Sequence, residues 1–246
     1  MIKVELINKA EVRNFYRNWG EFSCVCYNTN PKYAERVGKA CKESGHYSGS
    51  RCEYFKFKIS GISRVTTAQL NRHSVGVVVN EKSMRYCDFS KANVVIPPMI
   101  ASDPYARNIF EDLVEQTKRG YGVLQAYFKQ KGFSNEKINE DVRYILPIGI
   151  ETEAVYGFTL EALINFMEKR LCTRSQWEIR QVANLMRKAV LEVLPELKDE
   201  LVPACKRNLF CTEDKCCGLY PKKSEVLELV KKLIEKKREE QEDKNN

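Results

Sequence analysis

The sequence predicts a mixed α/β protein in which a few short strands are combined with long helices. Alternating aromatic or β-branched runs, such as Tyr54 to Ser60, fall in the first third of the chain, while longer segments of helical period dominate the remainder. The chain also has neither G-x-G-x-x-G nor G-x-x-x-x-G-K-[ST], which argues against a Rossmann oxidoreductase. With 246 residues and 43% apolar content, one substantial core can be buried.

In chain order, a strand is expected near Lys3 to Ile7, a helix around Lys32 to Glu43, and strands at Tyr54 to Ser60 and Val75 to Val79. Ser102 and Pro104 open a long helix whose Ile109, Phe110, Leu113, Leu124 and Phe128 recur at helical period and read as core scaffold. Gly132 and the polar run Ser134 to Lys137 break it ahead of Arg143. Thr159 is an N-cap for a helix that buries Leu160, Leu163, Ile164 and Met167, leaving Asn165, Lys169 and Arg170 toward a cleft or solvent. Ser175 and Glu178 match the S-x-x-E capping box, so another helix is expected to begin at Gln176. Beyond Pro221, Ser224 opens an amphipathic helix with Val226, Leu229, Val230, Leu233 and Ile234 on one side, running into an almost wholly polar end. The expected organisation is a single catalytic α/β domain over 1–221 and an appended helix and tail over 222–246.

The net charge of +8 is spread among interleaved acids, and no zinc-finger or RNP-type pattern accompanies it. No nucleic-acid partner is therefore expected. Small anionic ligands and plain solubility both account for the excess. No segment is long and apolar enough to span a membrane, and MIKVELINKAEVRNF lacks the apolar core of a signal peptide, so a soluble cytoplasmic protein is expected. Ten cysteines without a secretory signal read as reduced thiols. Cys205, Cys211, Cys216 and Cys217 raise a zinc hypothesis, but they do not form paired C-x-x-C knuckles and no metal is assigned. Only His46 and His73 are histidines, too few for a His-based metal centre but well suited to two separate ligand contacts.

The densest chemistry lies in QLNRHSVGVVVNEKSMRY, Gln69 to Tyr86, which sets Arg72, His73, Glu81, Ser83 and Arg85 around a short apolar stretch. Arginine offers a planar fork that meets phosphate bidentately, so this segment reads either as a site for anionic ligands or as a strand with a solvated edge. Arg174 stands beside the expected helix start at Gln176, where free amides favour anions, although helix-end arginines such as Arg170 and Arg174 are commonly surface charges.

The Gln69 to Tyr86 segment resembles the signature of flavin-dependent thymidylate synthases, Arg-His-Arg, a seven-residue spacer, Ser, then Arg-Tyr. It differs in having Ser74 at the third position and eight residues between Ser74 and Ser83. GHYSGSRCEYFKFKISGISR (Gly45 to Arg64) is similar to the family's Gly-His-x-Ser block and following strand, with Arg51 and Cys52 where Glu-His is usual. DVRYILP (Asp141 to Pro147) and NFMEKRLCTRSQWEIR (Asn165 to Arg180) are similar to two further blocks.

The resemblance implies a distinct α/β fold, a homotetramer with FAD held between subunits in shared active sites, and reductive methylation of dUMP with methylenetetrahydrofolate and NADPH. It implies nucleotide contacts from Gln69, Arg72, Glu81, Lys82, Ser83, Met84, Arg85, Arg143 and Arg170, with Lys82 and Met84 through backbone amides. It implies FAD contacts from Ser48, Arg72, His73, Asn165, Arg170 and Arg174, and catalytic roles for His46, Arg170 and Ser83. The alternative from the departures at Ser74, Arg51 and Cys52 is a catalytically decayed nucleotide- or RNA-binding module. A thymidylate synthase of the thiolate type is not expected, because no Pro-Cys nucleophile segment is present.

Overall fold

The computed structural model describes residues 1–245, which divide into two compact units, Met1–Ala162 and the residues from Leu163 onward. The first unit opens with strand β1 (Lys3–Leu6) and then two helices absent from the sequence reading, α1 (Lys9–Arg13) and α2 (Phe15–Cys26). The signal for α2 was present: Phe15, Tyr16, Trp19, Ser23 and Cys24 recur at spacings of three and four, and all are buried. Helix α3 (Ala34–Glu43) lies close against α2, and a Cβ at Gly20 would stand 1.6 Å from the Ala34 carbonyl oxygen, so only glycine permits that approach.

Strand β2 (Phe55–Ser63) runs into helix α4 (Arg64–Leu70), whose N-cap Ser63 accepts the Thr66 N–H at 3.3 Å. Strand β3 (Val77–Glu81), short helix α5 (Pro98–Ala101), long helix α6 (Pro104–Gln130), helix α7 (Asn135–Val142) and strand β4 (Glu151–Phe158) complete the unit. Among the described residues the strands form one antiparallel sheet in the order β1-β2-β4-β3. The central pair sets Phe57 opposite Tyr156 and Ile59 opposite Ala154, and β3 sets Val79 opposite Tyr156 on the other side. Phe55, Phe57, Ile59, Tyr156 and Phe158 are fully enclosed, whereas the β3 edge leaves Val78 55% and Val79 44% exposed.

Several expectations need correction here. Helix α6 is capped by Asp103, which accepts the Ala106 N–H at 2.9 Å, rather than opened by Ser102. Nor is α6 core scaffold along its length: Ile109 and Leu113 are 44% and 58% exposed, and only Tyr121 of this helix is buried. Its C-terminal half alone is anchored, where Tyr121, Leu124 and Phe128 pack with Ile138, Val142 and Leu146. The polar run after Gly132 does more than break a helix, because Ser134 caps α7 through the Lys137 N–H at 3.3 Å.

Helix α8 (Leu160–Arg170) carries the chain out of the first unit, and Thr159 Oγ1 accepts the Ala162 N–H at 3.4 Å as the expected N-cap. The second unit contains helices α9 (Trp177–Leu191), α10 (Ala204–Asn208) and α11 (Lys223–Asn245). The expected Ser175–Glu178 capping box does not form. Gln176 caps α9 through the N–H groups of Glu178 and Ile179 at 3.0 and 3.1 Å, while Ser175 Oγ donates to the Lys169 carbonyl at 2.7 Å and Glu178 is buried. The segment around Cys205 forms the short helix α10. No helix among the described residues is long and apolar enough to cross a membrane.

Candidate functional site

The start of α4 and the end of β3 are joined by an ion pair. Arg64 Nη1 lies 3.1 Å from Glu81 Oε1, with the Glu81 side chain only 13% exposed, so the carboxylate is held in place by a residue the sequence reading quoted without giving it a role. Beside this pair the Tyr156 hydroxyl donates to Asn71 Oδ1 at 2.7 Å, fixing the turn that carries Arg72 and His73. Burial, and then the nearby Glu81 carboxylate, push the Tyr156 phenol well above its ordinary range, which keeps it a donor. Gln69 and His73 are half-buried and Arg72 is exposed in this turn, with the His73 N–H on the Leu70 carbonyl at 2.9 Å.

Past β3 the chain folds around Ser83. Its Oγ accepts the N–H groups of Arg85 and Tyr86 at 3.2 and 3.4 Å, forming a compact turn in which Met84 is half-buried. The Lys82 N–H is committed to the Glu153 carbonyl at 2.9 Å, and its ammonium lies 5.4 Å from the centre of the Phe89 ring. Arg85 reaches α7, with Nη2 at 2.7 Å from Glu136 and Nε at 3.1 Å from Glu140. Arg143 Nε donates to the Glu140 carbonyl at 3.1 Å, so the expected nucleotide cations Arg85 and Arg143 meet at the same turn of α7. In the Arg85 fork, two carboxylates stand as ion-pair partners where a phosphate oxygen could stand, since a guanidinium pairs with either anion.

His46 and Ser48 stand elsewhere in the first unit, at the start of the 3-10 turn Tyr47–Cys52. His46 Nδ1 is 2.9 Å from the Tyr27 hydroxyl, on the wall of a cleft of ≈ 660 Å³ that also presents Tyr33 and Arg36. A Cβ at Gly49 would come within 2.7 Å of the Trp19 ring, so this turn is pressed onto α2 and holds the Ser48 hydroxyl outward. Arg51, in the family's usual Glu position, makes an ion pair with Glu161 at 2.5 Å. Tyr27 and Arg64 are contacts that sequence reasoning missed. Arg64 closes the Gly45 to Arg64 block immediately after a strand, a position from which an arginine can reach across a sheet.

In the second unit Asn165 is exposed on α8 and Arg170 is half-buried near its end. Arg174 Nη1 is held at 3.2 Å by Glu213 and at 3.4 Å by the Lys215 carbonyl. Of the residues expected to meet FAD, the first unit supplies the Ser48 hydroxyl, the Arg72 guanidinium and the His73 ring, and the second unit the Asn165 amide and the guanidinium groups of Arg170 and Arg174. Each of these groups is by its chemistry a donor suited to phosphate or ribose oxygens.

A family model described as thymidylate synthase complementing protein matches residues 8–196. The chain belongs to this family. It is 39% identical over 181 residues to a flavin-dependent thymidylate synthase of Nitratidesulfovibrio vulgaris, covering 73% of this chain and 74% of the relative. It is 34% identical over 169 residues to the enzyme of the same name from Clostridium tetani, covering 65% and 68%. A third relative of that name, from Pyrococcus furiosus, is 30% identical over 220 residues, covering 85% of each chain. Every expected site residue lies inside the matched span.

Proposed function

We propose that this member of the family catalyses the reductive methylation of dUMP to dTMP, with methylenetetrahydrofolate as carbon donor, NADPH as reductant and FAD as cofactor. The single observation that carries the reading is the family match over residues 8–196, which encloses both the Arg72 to Arg85 and the Arg170 to Arg174 blocks. It favours an enzyme over a decayed nucleotide- or RNA-binding module.

Arg72, Arg85 and Arg143 meet the dUMP phosphate, Arg85 exchanging Glu136 and Glu140 for it. Gln69, Glu81 and the Met84 main-chain amide position the uracil, whereas the Lys82 amide, expected to join them, is taken by the Glu153 carbonyl. The Ser83 hydroxyl, whose oxygen already accepts two N–H groups, keeps its proton to donate to a ring carbonyl. Arg170 opposes the negative charge that develops on the pyrimidine, a preorganised electrostatic role. His46 orients the folate or carries a proton, its ring set by Tyr27. Ser48, Arg72, His73, Asn165, Arg170 and Arg174 hold FAD, which supplies when reduced the hydride that completes the methyl group.

The working assembly is a cytoplasmic homotetramer, each site combining the Arg72 to Arg85 block of one chain with the Arg170 to Arg174 block of another. Residues 1–221 serve as the catalytic domain and 222–246 as an appended helix and tail, without nucleic-acid or membrane partners. The exposed Val78, Val79, Ile109 and Leu113 supply apolar surface for the assembly.

Purified protein should be yellow, and added dUMP should shift the flavin spectrum as the pyrimidine stacks on it. Colourless protein that takes up no FAD from excess would sink the reading. Arg85→Ala and Arg170→Ala should each remove nearly all turnover, since each takes a charged partner from the enclosed nucleotide, a loss on the order of 2–5 kcal/mol. Mixing the two inactive variants under subunit exchange should restore activity. Hybrid oligomers that form and stay inactive would refute the shared site.

A further inference from the structure

Cys205, Cys211, Cys216 and Cys217 all lie beyond the family match, which ends at residue 196. Their surroundings in the second unit form a closed device. The Cys211 N–H donates to the Pro221 carbonyl at 2.7 Å, and the Cys211 carbonyl accepts the Lys223 N–H at 3.3 Å, so the intervening chain forms a loop pinned at its neck. Inside it, Cys211 is buried and Cys216 half-buried, Cys211 being pinned through its backbone at Pro221 and the Cys216 sulfur at the adjoining Tyr220 carbonyl. Cys216 Sγ donates to the Tyr220 carbonyl at 3.2 Å and accepts the Gly218 N–H at 3.3 Å, which holds the sulfur in one place. Among the described residues, no group of three or more His, Cys, Asp or Glu is placed to hold a metal ion. Two thiols anchored at the adjoining residues Tyr220 and Pro221 can instead be joined to each other.

The residues between these two cysteines are Thr212, Glu213, Asp214 and Lys215. Two of them hold Arg174, through the Glu213 carboxylate at 3.2 Å and the Lys215 carbonyl at 3.4 Å. A cavity of ≈ 60 Å³ is lined by Arg174 and Glu213 together with Cys172, Cys205, Cys211 and Cys217, so Cys211 and the cation share one neighbourhood.

We propose that Cys211 and Cys216 form a reversible disulfide that locks the 212–215 segment onto Arg174 and thereby weakens the flavin site. The inference rests on the assignment of Arg174 to FAD. With the thiols reduced, the segment can swing on its neck and release Arg174 to a phosphate. With the bridge closed, a short ring fixes Glu213 where it neutralises that guanidinium. The oxidant is a small disulfide such as glutathione disulfide. The Cys216 thiolate attacks one of its sulfurs and expels one thiolate, then the Cys211 thiolate attacks the Cys216 sulfur of the mixed disulfide and expels the second. Cys211 and Cys216 lose two protons and two electrons, and the oxidant leaves as two thiols.

The test uses the full chain equilibrated in glutathione buffers of varied poise. Oxidation should remove two hydrogen atoms from the intact mass, join Cys211 to Cys216 in the peptide map, and weaken FAD binding by about tenfold, the equivalent of one charge-assisted contact. Cys216→Ser should lose both the mass change and the affinity shift, whereas Cys26→Ser, altered in the other unit, should keep both. Glu213→Gln should still form the bridge but bind FAD equally in either state. Equal FAD affinity of the reduced and oxidised wild-type chain, a bridge to Cys217 or Cys205 instead, or zinc retained stoichiometrically by these thiols would each overturn the proposal. A bridge that forms in a chain binding FAD in neither state refutes the regulatory role and the flavin assignment together, while a bridge that never forms in a chain that does bind FAD refutes the disulfide alone.

Discussion

Strands β2 and β4 on one side, and strand β3 with helix α6 on the other, draw on the same apolar alphabet and meet opposite fates. In the central pair Phe55, Phe57, Tyr156 and Phe158 are fully enclosed by their own chain. In the edge strand and the long helix, Val78, Val79, Ile109 and Leu113 face outward at 55%, 44%, 44% and 58% exposure. An apolar stripe records that something covers it, not which chain supplies the cover. The central strands answer to folding of the subunit, and the exposed set answers to the proposed assembly.

The contrast is broken most forcefully at the centre. Phe57→Ala should destabilise the subunit by about 3–5 kcal/mol through lost transfer energy and a residual cavity, read as a lower urea midpoint. Val79→Ala on the neighbouring edge should move that midpoint hardly at all when measured on isolated subunits. Equal effects at the two positions would show that the edge is covered within the subunit.

Next in size is Arg64→Met, which leaves the largely buried Glu81 carboxylate without its cation and should cost about 1–3 kcal/mol. If Glu81 positions the nucleotide, dUMP binding should weaken as well, and a variant that loses stability while keeping its dUMP affinity would remove Glu81 from the site. Tyr156→Phe should cost about 1 kcal/mol by losing the Asn71 hydrogen bond. Because burial raises the Tyr156 phenol above its ordinary 10.0, the stabilisation is complete below that pH and fades as pH climbs through the folded value. The variant should therefore lose less stability than wild type in an alkaline titration. A parallel decline in both would contradict the assigned environment.

The smallest effect on the subunit belongs to Leu113→Lys, expected within about 0.5 kcal/mol because the side chain is solvent-facing. The same substitution should lower the oligomer mass seen by light scattering. An unchanged mass would take α6 out of the assembly surface.

Much of this protein was legible in its residues because the relevant physics is local. The Thr159 cap, the β2 alternation and the start of β1 follow from side-chain reach and the two-residue strand period, and the motif blocks around Arg72 and Arg170 identified the family before any packing was known. Helix α2 escaped although Phe15, Trp19 and Ser23 carry its period, because two short helices separated by a single asparagine blur that signal. The Ser175–Glu178 pattern misled for a related reason: Gln176 could satisfy the same amides, and packing that buried Glu178 decided between them. Tertiary structure alone determined which partner each ion chose. Arg64 with Glu81, Arg85 with Glu136 and Glu140, and Arg174 with Glu213 are separated by 17 to 55 residues of sequence, and nothing in charge spacing distinguishes them from other acids at similar range. Coulomb attraction falls with distance in space rather than along the chain, so those pairings exist only once the fold has brought the charges together.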